Sequence, residues 1–279
     1  MKKFIYIFII VFAIIVILLI ANGLYCNQNI KVTNYTIKNS KSNVKLRFAI
    51  ISDLHNKQFG ENNSELIKLV KKQRPDFIAV CGDMIVRGNT DTSVMKSVLS
   101  QLKDIAPTYC CLGNHERDMT DQIDFAAEIN PTGSVLLDNT SLIFTKDGKN
   151  ILIGGLSDFP YYDEFAPEYN TPDRYFWDKF KAQAKENFAV LLHHQPEYIA
   201  DYAADSGIDI ITCGHTHGGQ IQIPFVGGLI TPNQGLFPKY DIGEYDFGNT
   251  KMIICSGLGN NTIIPRINNQ IEFCVVDID

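Results

Sequence analysis

The sequence predicts a layered α/β fold that follows an N-terminal transmembrane helix. Short apolar runs rich in β-branched residues alternate with stretches of helical periodicity, which is the pattern of an α/β domain. Several of these runs end directly in Asp, His, Asn or Gly, and an unbroken apolar run opens the chain. We expect an anchor over residues 1–24, a linker and edge strand over 25–45, and one domain over 46–279.

The main predicted elements lie within the domain. We expect strands at residues 48–52, 77–81, 108–112, 151–154, 188–192 and 208–213, and helices at 63–72, 92–105 and 172–186. Later strands near residue 253 and at 273–278 are separated by loops rather than helices. Part of the sheet structure should therefore be antiparallel or mixed.

The N-terminal apolar run covers residues 4–21 without a charge. At about 1.5 Å per residue it reaches roughly 27 Å, close to the thickness of a bilayer core. A cleaved signal peptide is the alternative, but its apolar region is shorter and a small-residue cleavage site follows it. An uncleaved single-pass anchor in the cell membrane is favoured. Lys2 and Lys3 favour a cytoplasmic N-terminus, which places the domain outside the cytoplasm.

Composition narrows the class of partner. The chain has 279 residues and a net charge of −6, and no basic stripe interrupts the domain, so we expect no nucleic-acid partner. None of the seven cysteines forms a CxxC pair, and most adjoin apolar strands. We expect them to be reduced thiols in the core.

Polar clusters follow five of the predicted strands, and all six histidines of the chain lie in these clusters. The clusters are Asp53-Leu54-His55, Gly82-Asp83, Gly113-Asn114-His115-Glu116, His193-His194 and Gly214-His215-Thr216-His217. Ligands of α/β sheets bind beyond the carboxyl ends of strands, so these side chains should meet in one crevice. If the backbone is extended, the alternate residues of Asp53-x-His55 and His215-x-His217 point the same way. Carboxylate and imidazole ligands without thiolates suit Mn²⁺, with Fe or Zn²⁺ as alternatives.

This ordered set resembles the calcineurin-like metallophosphoesterase superfamily over residues 45–279. The stretch 214–221, which reads GHTHGGQI, looks like a branch of membrane-associated bacterial phosphoesterases. The resemblance implies a sheet sandwich flanked by helices and two divalent metal ions. It implies that Asp53, His55 and His217 bind the first ion, that Asn114, His194 and His215 bind the second, and that Asp83 bridges them.

Two further assignments follow from the resemblance. Choosing His194 over His193 rests on the family pattern of two apolar residues, one variable residue and His-x-Pro. His115 should lie near the leaving oxygen, where a histidine suits a general acid at neutral pH. Val86 stands where protein Ser/Thr phosphatases of the superfamily carry an aspartate. The neighbouring Arg87 is either a phosphate clamp or a solvated charge, and the stretch from Arg266 to Glu272 matches the branch only loosely.

The predicted function is two-metal hydrolysis of a phosphodiester or lipid-linked pyrophosphate by a metal-bridging hydroxide. A phosphomonoesterase acting on a soluble substrate and a metal-free binding scaffold are the alternatives. The lipid hypothesis rests on two apolar stretches, residues 224–230 beside the last histidines and residues 159–162 continuing to 175–177. For residues 175–177, the start of a core-facing helix is an equal alternative.

Overall fold

A computed structural model describes residues 2–38, 41, 44–157 and 174–279 of the chain. The helices are α1 Lys2–Gln28, α2 Ser64–Gln73, α3 Ser93–Lys103, α4 Asn114–Arg117, α5 Phe125–Ile129, α6 Arg174–Ala184 and α7 Pro196–Ala203. The strands are β1 Lys31–Ile37, β2 Leu46–Ile51, β3 Phe77–Cys81, β4 Thr108–Cys111, β5 Val135–Leu136, β6 Thr140–Lys146, β7 Lys149–Gly155, β8 Phe188–Leu192, β9 Ile210–Cys213, β10 Gln222–Ile223, β11 Gly227–Gly228, β12 Ile230–Thr231, β13 Gly235–Leu236, β14 Gly243–Phe247, β15 Thr250–Ile254 and β16 Glu272–Ile278.

Two sheets of six strands each form the centre of the described part of the fold. The first sheet has the order β1-β16-β2-β3-β4-β5, and the second has the order β14-β15-β9-β8-β7-β6. Apolar residues from both sheets share one buried cluster, in which Phe48 and Phe77 of the first sheet accompany Val190 and Ile253 of the second. The two sheets therefore pack face to face as a sandwich.

Helices cover the outer faces of the sandwich. Leu66 of α2 and Leu99 of α3 are buried against the first sheet. Phe180 of α6 and Ile199 of α7 are buried against the second sheet. Helices α2, α3 and α6 occupy the predicted segments, whereas α7 was not predicted. The fold is the predicted sheet sandwich flanked by helices. Both sheets are mixed, as expected from the late strands: β16 pairs antiparallel with β2, and β14 pairs antiparallel with β15.

The N-terminal segment forms one helix that is longer than the predicted anchor. α1 runs to Gln28 rather than ending at residue 24, and only Asn29 and Ile30 separate it from β1. β1 lies at the edge of the first sheet, parallel to β16. α1 contains a span long and apolar enough to cross a membrane, a test that a signal sequence also passes. All seven cysteines are within the described residues, and they are buried thiols outside any disulfide.

Candidate metal centre

The polar clusters of both sheets meet at one end of the sandwich. Asp53, Asp83 and Asn114 follow β2, β3 and β4 of the first sheet, while His194 and His215 follow β8 and β9 of the second. A cavity of about 510 Å³ opens there, lined by members of both groups together with residues of the loops around them. The predicted convergence of five strand ends on one crevice is thus observed.

The predicted residues form two adjoining groups. Ligand atoms of Asp53, His55 and His217 all lie within 4.8 Å of one another, and so do those of Asp83, His194 and His215. Oδ2 of Asp83 is 3.2 Å from Nε2 of His194 and 3.9 Å from Nε2 of His55. Asp83 therefore lies between the two groups, where a single carboxylate can contact a cation in each.

The backbone reaches this arrangement by left-handed turns, so the expected extended geometry of the two pairs is wrong. Asp53 and His55 have φ angles of 52° and 49°, and His215 and His217 have φ angles of 71° and 48°. Such angles are uncommon outside glycine and typically mark functional sites. A Cβ at Gly214 would lie 2.4 Å from Oδ2 of Asp53, so this close packing requires glycine.

Backbone carbonyls fix the tautomers of two histidines. Nδ1 of His55 lies 3.2 Å from the carbonyl oxygen of Ile85, and Nδ1 of His194 lies 2.6 Å from that of Cys81. A carbonyl only accepts, so Nδ1 carries the proton and Nε2 of each ring presents its lone pair to the centre. Burial also lowers the pKa of His55 to about 4, which favours the neutral imidazole that binds metals.

His215 is held through its other nitrogen. Its Nε2 lies 3.4 Å from Oε1 of Glu197 and 3.3 Å from the amide nitrogens of Gln195 and Asn233. The amide nitrogens can only donate to Nε2. With a cation on Nδ1, the ring proton would instead lie on Nε2, where the Glu197 carboxylate could accept it. The arrangement is a carboxylate–histidine pair of the type that supports metal sites. Sequence reasoning missed Glu197, because a glutamate inside a helix carries no signal of its partner.

Asn114 lines the cavity, and the two adjacent histidines at residues 193 and 194 follow β8. Oδ1 of Asn114 is buried and has no hydrogen-bond partner among the described residues. A buried orphan acceptor is costly unless something outside the protein chain satisfies it. Nδ1 of His193 lies 2.9 Å from the carbonyl of Leu156, whereas His194 is the one that joins the Asp83 group.

His115 borders the cavity, and its orientation is set by a main-chain donor. The backbone N–H of Arg87 donates to Nδ1 at 2.9 Å, so the neutral ring carries its proton on Nε2. Nε2 lies 3.7 Å from Oδ2 of Asp83 and 3.0 Å from the amide of Asn261. Because Nε2 is the donor, the Asn261 amide presents its oxygen there. Burial is the main cause that lowers the pKa of His115, although Asp83 opposes the effect.

Two buried charged residues hold the loops of the centre. The Glu116 carboxylate accepts from the backbone N–H groups of Asp83, Met84, Ile85 and Gly113. Arg266 is fully buried, and its Nη2 lies 3.1 Å from Nδ1 of His217 and donates to the carbonyl oxygens of Ser256 and Gly259. The sequence motif contained Glu116 but gave it no role.

The structure also describes Arg87 and parts of the two apolar stretches on which the lipid hypothesis rests. The guanidinium of Arg87 lines the cavity and pairs with the carboxylate of Asp118. Phe176 and Trp177 are buried in the core beside the second sheet, as the core-facing alternative predicts, whereas Tyr175 is exposed. Residues 159–162 lie outside the described part of the chain. In the stretch 224–230, Ile230 lines the cavity, while Phe225 is fully exposed at a hairpin tip.

Comparison of the sequence with known proteins identifies the family of this chain. The family model for calcineurin-like phosphoesterases matches residues 46–219. The chain belongs to this family. It is 27% identical to the phosphodiesterase YaeI of Escherichia coli K12 over 77% of this chain and 75% of that protein. It is also 28% identical to the uncharacterized metallophosphoesterase YkuE of Bacillus subtilis 168, over 88% and 84% of the respective lengths.

The fold has matches among solved structures. TT1561 of Thermus thermophilus superposes with a TM-score of 0.52 at 12% identity, over 77% of this chain and 91% of that one. This similarity concerns the fold alone. Family membership and the clusters of metal-binding residues establish that the protein is a metal-dependent phosphoesterase.

Proposed function

We propose that this protein hydrolyses phosphodiester bonds with two divalent cations held by Asp53, His55, Asp83, Asn114, His194, His215 and His217. The position of Asp83 between the two groups carries the proposal, because its carboxylate can contact both cations. Mn²⁺ suits this set of oxygen and nitrogen ligands, with Fe or Zn²⁺ as alternatives.

Three of the seven residues already present an acceptor atom to such ions. The Nε2 lone pairs of His55 and His194 already face the centre, and Oδ1 of Asn114 needs a partner. Without metal, burial opposes ionisation of Asp83, but His194, and after it His115 and His55, would hold its pKa well below its usual range when these rings are protonated. With the rings neutral, a bound cation would favour the same ionised carboxylate. Two bound ions would supply an activated water and offset charge on the phosphoryl oxygens.

His115 would act on the leaving oxygen by donating from Nε2. Full proton transfer would require the imidazolium, whose Nδ1–H would face the N–H of Arg87. Burial also disfavours that charged form. Hydrogen-bond donation by the neutral ring therefore suits this geometry better than release of a proton, and it would stabilise charge as the P–O bond lengthens.

The test compares a diester with a monoester. Purified full-length protein in detergent, supplied with Mn²⁺, should hydrolyse bis-p-nitrophenyl phosphate faster than p-nitrophenyl phosphate, and metal analysis should find two ions per chain. Asp83→Asn is the matched control, since it keeps the side-chain shape but removes the charge. Hydrolysis of the monoester alone would refute the diester proposal.

We propose more specifically that the substrate is a lipid-linked diester or pyrophosphate. The cavity carries Ile230 and Ile264 beside its polar residues, which gives an acyl chain an apolar wall. Ile230→Ser should reduce hydrolysis of a phospholipid in mixed micelles more than hydrolysis of a short soluble diester. Equal losses on both substrates would contradict a lipid-specific role.

We further propose that α1 stays attached and crosses the cell membrane once, with the domain outside the cytoplasm. Lys2 and Lys3 precede the apolar run and support this orientation. Protease added to intact spheroplasts should then digest the domain without lysis. Protection until lysis would place the domain in the cytoplasm instead.

A further inference from the structure

The last turn of α1 is part of the domain rather than a loose tether. The Oδ1 of Asn22 accepts from the backbone N–H of Asn268 at 2.8 Å, and the carbonyl of Cys26 accepts from Ile271 at 2.9 Å. Cys26 is buried, and Asn27 donates to the carbonyl of Arg266. The helix end is therefore fixed to the segment 266–271, with two residues between it and β1.

The rest of α1 projects away from the described parts of the domain. No residue of its most apolar window is buried against them, and the apolar run ends at Ala21. Asn22, the first residue that contacts the domain, comes directly afterwards. If the run spans a bilayer, the membrane surface lies within about one helical turn, roughly 5 Å, of this contact.

Two exposed apolar tips lie next to that contact. Phe225 and Val226 form the tip of the β10–β11 hairpin, and their exposed fractions are 110% and 62%. Asn268, which binds Asn22, also donates to the carbonyl of Gln222 at the base of this hairpin.

The second tip is Ile263, with an exposed fraction of 101%. It belongs to the segment that joins the helix end to the catalytic cavity. At one end of this segment Asn261 contacts His115, and at the other the carbonyl of Arg266 contacts Asn27. Ile263 thus lies between the mouth of the cavity and the exit of α1.

We infer that Phe225, Val226 and Ile263 insert into the headgroup region of the same bilayer that holds α1. Full exposure of a large apolar side chain at a loop tip is unfavourable in water and favourable at a membrane interface. The short, hydrogen-bonded connection fixes the tips at the height where the apolar run ends. The mouth of the cavity then opens along the membrane surface. The inference depends on the retention of α1 proposed above, and it does not depend on catalysis.

The test measures membrane depth in the full-length protein. Nitroxide labels are attached after Phe225→Cys, Val226→Cys or Ile263→Cys, with the protein in phosphatidylcholine nanodiscs. Ile143→Cys is the matched control, because Ile143 is an exposed apolar residue on the edge strand β6 of the second sheet. The ratio of collision with oxygen to collision with a water-soluble nickel chelate should be several-fold higher at the three tips than at residue 143.

Equal ratios at all four sites would overturn the inference. Line broadening that disappears on dilution with unlabelled protein would also overturn it, since the tips would then contact a second copy of the chain. Hydrolysis of the soluble diester is measured in the same samples. Labelled tips at membrane depth in an inactive protein would contradict the proposed function and leave the membrane contact standing.

Discussion

Replacement of Glu197 tests whether the carboxylate–histidine pair supports the metal centre. The carboxylate lies 3.4 Å from Nε2 of His215 and accepts from Asn233 at 2.9 Å. Loss of such a partner typically weakens metal affinity about 10- to 100-fold, or about 1.4–2.8 kcal/mol. Glu197→Gln keeps an oxygen that can accept, so we expect about 10-fold for it and a value nearer 100-fold for Glu197→Ala.

The assay is recovery of diesterase activity in chelator-stripped protein as buffered Mn²⁺ is raised. One of the two metal-binding steps should move to higher Mn²⁺ concentration, because only His215 loses its support. Activity at saturating Mn²⁺ should stay within a few-fold of that of the unmodified protein. Glu128→Gln is the control, since it also removes an ion pair, with Lys96, but outside the centre. Unchanged Mn²⁺ dependence in Glu197→Ala would refute the reasoning.

Three further perturbations probe the centre. Asp83→Asn should lose most hydrolysis and at least one bound metal, and near-normal activity with two metals would contradict its bridging position. His115→Ala should keep its metal but slow turnover by roughly 10²–10³, the loss typical of one hydrogen-bond donor to developing charge. The loss should be smaller with a good leaving group, and equal losses would argue against an action on the leaving oxygen. The pKa of His55 is about 4 in the folded protein, below its unfolded value near 6.5, so the unfolded chain binds more protons between these two pH values. In chelator-treated protein, this group should therefore lower the free energy of unfolding by roughly 3 kcal/mol as pH falls through that window. A melting temperature that stays constant from pH 7 to pH 4.5 would contradict this last expectation.

The core strands were predictable because a strand buried on both faces consists of consecutive apolar residues. β3 and β8 are wholly buried and read as continuous apolar runs, and the predicted bounds agree with the observed ones. The short strands β10–β13 were missed, because pairs of two residues have no period to detect. The edge strand β6 was also missed, since its exposed and half-buried residues lack a strong apolar run.

The site residues were predictable as a group, but their supports were not. Asp83 and His194 stand at strand ends, where polar residues after an apolar run are conspicuous. Glu197 and Arg266 act through contacts with residues distant in sequence, at separations of 18 and 49 positions from the histidines they approach, as residue numbers show. The left-handed turns at Asp53 could not be read either, because aspartate gives a weaker signal for positive φ than glycine does.

Because the proposed ligands come from two sheets, a shortage of metal would affect the stability of the protein as well as its activity. Each proposed binding group draws on both halves of the sandwich: Asp53 and His55 come from the first sheet and His217 from the second. A cation held there would link the two sheets. At a free concentration 100-fold above its dissociation constant, the cation would add about 2.7 kcal/mol to the free energy of unfolding. Starved of metal, such a protein would lose its resistance to proteases along with its activity, so its abundance would track the supply of the ion.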